Sequence, residues 1–351
     1  MTAEFITPDD KRWVKFLEQT TYDFYHLPEY VELTAQYEGG MPVAFYAEAG
    51  DYKFLAPLLI RGVPAVLEAP HQWYDAASPY GYPTPLITPF ADAPALDSFF
   101  RSFKEVGVQS GIVSAFFRLH PLLSLPTEQM AQYGLLVAHG QTVYIDLSQS
   151  MEELWTQKDR DHKRDIKRLV GAGFSARIDD WDLYDSFIAH YRETMERVSA
   201  SESYFFPNSY FYDFKSVLGS ACHLCSVLTD DGNVASSVLF TTVNGIVQYH
   251  LSATLGAYNK LAPSKLAFET ACIWSKEHGN KYAHLGGGVG GKKDSLFRYK
   301  SGFSKRRADF YTFRMILEGQ RYADLTNRWR NRVQPEGLSD DFFPDYRKNC
   351  A

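Results

Sequence analysis

The sequence is poor in cysteine, with four in 351 residues, and has no long apolar run. Four thiols cannot staple a chain of this length, which removes the disulfide-framed secreted domains. No stretch approaches the ~18 apolar residues of a membrane-spanning helix. Phe54–Ile60, FLAPLLI, has the length of a buried strand. The opening MTAEFITPDDKRW lacks the basic start and apolar stretch of a secretion signal. Positive charge is not in excess either: the net charge is −6, so the molecule as a whole is not built to coat nucleic acid. There is no G-x-S-x-G, no H-E-x-x-H, and no G-x-G-x-x-G after a first strand. These absences lead to the expectation of a reduced, cytoplasmic protein without stable membrane insertion.

What is present is aromatic: 23 Tyr and 25 Phe in a chain with 45% apolar and 22% charged residues, the composition of a folded globular protein. The length suits two domains or one large one. Cys222 and Cys225 form a C-x-x-C inside SACHLCSVL, which reads as a strand. Positions i and i+3 of a strand face opposite ways, and no second pair completes a zinc set. Two cysteines in a sheet is the better account, and no metal site is expected.

Apolar runs alternate with amphipathic stretches, so the class is mixed. The first part predicts a helix over Glu29–Tyr37, paired strands Pro42–Glu48 and Tyr52–Arg61 around Gly50-Asp51, a helix over Ala93–Val106 ending at Gly107, and a strand over Gly111–Leu119. Leu135–Ala138 and Thr142–Leu147 flank Gly140 as a hairpin. The second part predicts one charged helix over Met151–Val170, N-capped by Ser150, and another over Asp182–Val198. A meander follows, Cys222–Leu228, Val234–Val243 and Ile246–Ala253, with Asn244-Gly245 as its second turn. A helix over Pro263–His278, strands over Lys281–Leu285 and Phe310–Leu317, and a last helix over Arg321–Arg332 complete the pattern. Helices, a meander, a helix and strands thus occur twice, with a seam near Asp146–Ser150.

Gly286–Lys293, GGGVGGKK, fits the core of a phosphate-binding loop, but Lys293 stands where the Mg²⁺-binding Ser or Thr belongs. A backbone nest for an anion, or a close approach of backbone to a ligand, suits it better. From Lys292 to Arg307 there are seven basic residues and one acid, Asp294. Lys300 stands apart because it lies between Tyr299 and Phe303, so its stem is expected to be partly buried and its ammonium to meet an anion. The basic block Lys158–Arg168 is expected to form i,i+4 pairs on a solvated face. Tyr204, Phe205, Phe206 and Tyr210 suggest an aromatic wall, and Arg192 and Arg197 are ambiguous. Asp75, His71 and Tyr74 sit near the Tyr80 loop without forming a recognisable triad.

The chain resembles the Fem-type (FemAB-like) family of aminoacyl- and acyltransferases. The resemblance is carried by Tyr249, Pro263, His284-Leu285-Gly286-Gly287-Gly288 and Tyr299-Lys300-Ser301-Gly302-Phe303, with weaker echoes at Tyr25–Tyr30, Ser78–Tyr82, Arg118–Leu122 and Arg164–Leu169. It spans roughly residues 20 to 318. It implies an α+β fold of two tandem GNAT-like domains, residues 1–147 and 148–319, with the C-terminal helix region 320–351 packing back on the first. The long coiled-coil arm of some members is absent, since Ile178–Cys222 is too short for it. Nor does Asn259–Lys265 present the glycines with which acetyl-CoA enzymes of the GNAT fold hold pyrophosphate; it carries Pro263, which lacks an N–H.

The resemblance implies transfer of an activated acyl group, from aminoacyl-tRNA or acyl-CoA, to an amine on a small molecule or on a glycan or peptide such as a cell-wall precursor. Lys300 and Tyr249 are the candidates for the chemistry, Lys300 facing phosphate and the Tyr249 hydroxyl an oxyanion. Tyr80, Tyr82, Arg197, Tyr204, Gly287, Gly288, Tyr299 and Phe303 are the candidates for binding. No cofactor is implied, and the protein is expected to be a monomer or homodimer. A CoA-dependent N-acetyltransferase, or a non-catalytic binder of a phosphorylated glycan or lipid, stands as the alternative.

Overall fold

The computed structural model describes residues 1–89, 93–123, 125–333 and 342–350. Its first elements are β1 (Thr2–Ile6), α1 (Lys11–Leu17), α2 (Pro28–Glu38), β2 (Met41–Ala49), β3 (Tyr52–Gly62), β4 (Tyr74–Ala77), β5 (Leu86–Thr88), α3 (Ala93–Gln109), β6 (Ile112–Arg118), α4 (Thr127–Met130) and β7 (Leu135–Asp146). Then come α5 (Met151–Thr156), α6 (Arg160–Gly171), β8 (Ser175–Ile178), α7 (Tyr184–Arg197), α8 (Asn208–Leu218), β9 (Cys222–Leu228), β10 (Val234–Val243) and β11 (Ile246–Thr254). The chain continues with α9 (Ser264–Glu277), β12 (Tyr282–Gly286), α10 (Ser295–Ser301), β13 (Arg307–Ile316) and α11 (Gly319–Val333).

Two compact units result, residues 1–139 with 310–351, and residues 140–309. Each carries the same sheet. In the first, β1-β2-β3-β4 are antiparallel neighbours, β4 pairs parallel with β6, and β6 pairs antiparallel with β13. In the second, β8-β9-β10-β11 are antiparallel, β11 pairs parallel with β12, and β12 pairs antiparallel with β7. The fold is therefore α+β and duplicated. The boundaries differ from those read in the sequence because each sheet takes its last strand from across the seam. Thr312↔Arg118 ties β13 to the first sheet, and Tyr282↔Asp146 ties β7 to the second.

Packing follows the sheets. In the first unit, Leu96, Phe99, Phe100 and Phe103 of α3 bury against Phe45, Phe54 and Phe117. Trp13, Phe16 and Val31 of α1 and α2 bury against Ala44, Tyr46 and Leu55 on the alternate strand positions. In the second unit, Leu266, Phe268 and Ala271 of α9 cover Val238, Phe240 and Val247. Tyr322, Leu325 and Trp329 of α11 pack with Leu67, Val113 and Tyr346 of the first unit. Residues 334–341 and 351 of the expected C-terminal region lie outside the described residues.

Three local expectations fail, each for a tertiary reason. Gly140 is no hairpin turn: β7 runs through it, and a Cβ there would lie 2.3 Å from the Gly291 carbonyl oxygen. Gly107 does not end α3, which continues to Gln109; a Cβ at Gly107 would lie 2.4 Å from the Leu317 side chain. The helix expected over Met151–Val170 breaks after Thr156, where Lys158 turns inward to Glu269, 3.0 Å away.

The four cysteines are free, and Cys222, Cys225 and Cys272 are buried. Burial pushes the thiols of Cys222 and Cys225 up to about 12. Since the thiolate is the reactive form, a thiol reagent at neutral pH is expected to spare these three until the protein is denatured. Rapid labelling of Cys222 or Cys225 in the native protein would contradict this packing.

Candidate functional site

The parallel pair in the second unit is short. Only Ile246–Gln248 of β11 align with Tyr282–His284 of β12; beyond them β11 continues to Thr254 paired with β10 alone. The strands part there, leaving an opening at Tyr249. In the first unit the same opening is bridged by its own chain. Ser78 N donates to Phe116 O at 2.8 Å, and Arg118 Nη1 donates to Ser78 O at 3.0 Å. Among the described residues, no such backbone contact bridges the opening in the second unit.

After β12 the chain passes through Gly286–Gly288 and a single 3₁₀ turn, Val289–Gly291, into α10. Asp294 fixes this loop. Its Oδ1 accepts from Phe297 N at 2.8 Å, capping the helix, and its Oδ2 accepts from Val289 N at 2.9 Å. These backbone hydrogen bonds, that to Phe297 foremost, hold its carboxyl below the usual range. Gly288 has no room for a side chain, since a Cβ would lie 2.1 Å from Lys292 O.

From α10, half-buried Lys300 sends its Nζ back to donate to Gly287 O at 2.7 Å. Burial pushes its ammonium down to about 8, opposed by the charge of Asp294. Beside it the Tyr299 hydroxyl donates to Ser264 Oγ, 3.1 Å away, at the start of α9. Half-buried Tyr249 packs edge-on against Phe268, ring centroids 5.4 Å apart, and burial pushes its hydroxyl up to about 12. At neutral pH Tyr249 is therefore a neutral phenol that can donate a hydrogen bond. Phe303 is 1% exposed, between Phe268 at 4.5 Å and His162 at 4.5 Å. It backs the Tyr299 ring, 5.5 Å away, and offers no surface of its own.

Residues that the sequence did not single out hold this group in place. The ring of His162 on α6 packs against Gly302, where a Cβ would lie 2.2 Å from its Cε1. Burial foremost lowers the His162 imidazole below its ordinary range. Its Nε2–H donates to Tyr299 O, 2.9 Å away, since a carbonyl oxygen can only accept. Asp159 N donates to Gly302 O at 2.8 Å. Two buried ion pairs, Lys158–Glu269 at 3.0 Å and Lys265–Asp165 at 2.6 Å, pin α9 to the same segment. The basic block is thus only in part the solvated face expected of it. Arg164 pairs with Asp161 at the surface, while Lys158, His162 and Asp165 point inward. Gly302→Ala is expected to cost about 1–3 kcal/mol by overpacking. His162→Ala in the same chain should restore part of it, read from denaturant midpoints.

The other candidates fall elsewhere. Arg197 Nη2 donates to Thr254 O at 2.9 Å and Nη1 pairs with Glu193 at 3.3 Å, latching the end of β11. Tyr204 is half-buried, and its carbonyl accepts from Tyr191 OH at 3.0 Å. No hydrogen bond or ring contact links either to Lys300, Tyr299 or Tyr249 among the described residues. Tyr80 and Tyr82 belong to the first unit. Tyr80 is 36% exposed, and its carbonyl accepts from Tyr30 OH at 3.1 Å. Tyr82 stands edge-on to Tyr25 at 5.7 Å and Phe310 at 5.2 Å. Below them lies a buried pair, His120–Asp23 at 2.9 Å.

No family model matches the sequence, and no curated protein matches it. Solved structures do. FemX superposes with a TM-score of 0.68 at 14% identity, over 89% of this chain and 97% of its own. L-PGS from Bacillus licheniformis gives 0.55 at 11% identity, over 92% and 96%. The C-terminal domain of a putative lysylphosphatidylglycerol synthetase from Agrobacterium fabrum gives 0.53 at 13% identity, over 90% and 93%. The chain has the FemAB-like fold, two tandem GNAT-like units.

Proposed function

We propose that the chain is an acyl- or aminoacyltransferase that moves an activated acyl group to an amine, with its chemistry at the opening between β11 and β12. One observation carries this reading. Tyr249, a neutral phenol, stands where the strands part, and on the segment that follows β12 the half-buried ammonium of Lys300 is held on the Gly287 carbonyl 2.7 Å away. A half-buried ammonium that pairs with no carboxylate among the described residues is suited to a phosphate or carboxylate of an incoming substrate. The phenol is suited to the oxyanion of the tetrahedral intermediate. The remaining requirement is positioning: a neutral amine held ~3–3.5 Å from the acyl carbonyl. The amine nitrogen forms the new C–N bond and the carbonyl oxygen takes the negative charge; one N–H proton passes to the departing oxygen or sulfur, whose bond to carbon breaks, and the alcohol or thiol leaves as the carbonyl re-forms.

The donor is better an aminoacyl ester, such as aminoacyl-tRNA, than a CoA thioester. At the start of α9 the N–H groups of Lys265, Leu266 and Ala267 already donate to the carbonyls of Ala262 and Pro263 at 3.0–3.1 Å. The Ser264 hydroxyl holds Tyr299. Three of the donors with which such a helix start would grip pyrophosphate are therefore already taken. The acceptor is an amine on a glycan, peptide or lipid precursor; a domain of a putative lysylphosphatidylglycerol synthetase is among the similar structures.

Thermal shift tests the reading. A non-hydrolysable aminoacyl-adenosine analogue is expected to raise the melting temperature of the protein but not of Lys300→Ala, while CoA does neither. Stabilisation by CoA alone would overturn it.

A further inference from the structure

We infer that the edge formed by the Gly-rich loop and the start of α10 docks on an anionic lipid surface. Lys292, Lys293 and Arg298 are all exposed there, and none forms an ion pair among the described residues. The one acid of the stretch does not offset them. Asp294 turns its carboxylate into the loop, onto the N–H groups of Val289 and Phe297. Of the cations further along, two are already engaged: Lys305 pairs with Asp159, and Arg307 donates to the carbonyls of Ser304 and Arg306, while Arg306 is exposed. The charge left facing outward is thus of one sign, on a chain whose net charge is −6.

Two aliphatic side chains stand among these cations. Val289 is 60% exposed and Leu296 39% exposed. The Asp294 carboxylate fastens the turn of the first to the helix of the second. Cations around exposed aliphatic tips suit a bilayer interface, where the tips enter the headgroup boundary and the cations meet lipid phosphates. Single-stranded nucleic acid would call for exposed aromatic faces on which bases stack. Here the rings are turned in: Phe297 is 7% exposed and Tyr299 holds Ser264. Docking would bring lipid to the loop whose Gly287 carbonyl holds Lys300, so an acceptor could be met at the membrane surface. That consequence, unlike the docking itself, rests on the transferase reading.

The test is co-sedimentation of the full chain with vesicles of phosphatidylglycerol and phosphatidylcholine in equal parts, against phosphatidylcholine alone. The protein is expected to sediment with the anionic vesicles only, and less so as salt rises. Each lysine at such a surface strengthens binding about fivefold, so Lys292→Gln with Lys293→Gln should weaken it about 30-fold. Val289→Ser with Leu296→Ser should weaken it roughly tenfold. Both pairs lie on the surface and should keep the parent melting temperature. Failure of the parent to bind anionic vesicles would overturn the inference. So would unchanged binding by both variants, or capture of tRNA through Lys292 and Lys293 with the vesicles ignored. Vesicle binding needs no acyl transfer, so its failure leaves the transferase reading intact. Absence of transfer with vesicle binding preserved counts against that reading alone.

Discussion

Lys300→Ala is expected to lower kcat/KM for acyl transfer about 10- to 150-fold while leaving the melting temperature nearly unchanged. The ammonium is held on Gly287 O and desolvated, with its pKa pushed down to about 8. A charge-assisted hydrogen bond from it to a substrate anion contributes roughly 1.5–3 kcal/mol. If the bond is present in the transition state, its loss appears in kcat/KM by that factor. Stability should hold because the partner left behind is one carbonyl of a half-buried loop, which water can satisfy. Lys300→Arg should recover only part of the activity, since a planar fork does not replace a compact ammonium. The pH profile carries a sign. Anion binding needs the charged form, so Lys300 should contribute a fall in kcat/KM above about pH 8. The bound anion favours the ammonium, so the corresponding fall in kcat should come at higher pH. Lys300→Ala should lose this limb. Activity within about twofold of the parent, with the alkaline limb intact, would place the chemistry elsewhere.

Asp75→Ala is expected to destabilise the protein by about 3–5 kcal/mol, the cost of breaking a buried ion cluster from one side. The Asp75 side chain is 0% exposed and holds Arg61 at 2.7 Å on one oxygen and Arg347 on the other. Those guanidinium side chains are 27% and 19% exposed, so neither can be fully rehydrated in the folded state. Tyr346, 0% exposed, adds its hydroxyl to Ser114 Oγ at 2.8 Å. Asp75 thereby fastens the C-terminal segment around Tyr346 to β3, β4 and β6. Denaturant midpoints check the figure; a loss below about 1 kcal/mol would mean that the cluster stays wet. The same mutation should leave kcat/KM per folded molecule unchanged, because nothing in the Lys300 group touches Asp75.

These two residues show what the sequence could and could not disclose. Lys300 stood out as a candidate because a lone lysine between two aromatics, after five glycines in six residues, is an unusual local pattern. The alternation and turn dipeptides of the meander were local as well, and β9, β10 and β11 lie where they were expected. Asp75 was visible only as an acid near an aromatic loop, because its partners Arg61 and Arg347 are 14 and 272 residues away. His162 lay hidden in a basic block. Its role depends on Gly302, and a glycine with nothing beside its Cα looks the same in sequence as one holding a turn. Gly140 and Gly107 misled for that reason: each makes room for a neighbour, and neither breaks its element. β8 and α8 were missed outright, the first for its four residues and the second because its aromatics read as a wall.

Transfer itself tests the account most directly. The purified protein would be offered two labelled donor pools, aminoacyl-tRNA and acyl-CoA, together with a mixture of amine-bearing cell-wall and lipid precursors. Amide-linked product would be counted for the parent and for Lys300→Ala. The account predicts label passing from the aminoacyl esters to an amine with the parent, a product yield lower by about 10-fold or more with Lys300→Ala, and none from acyl-CoA. Transfer from acyl-CoA alone, or transfer from the esters that ignores Lys300, would contradict it.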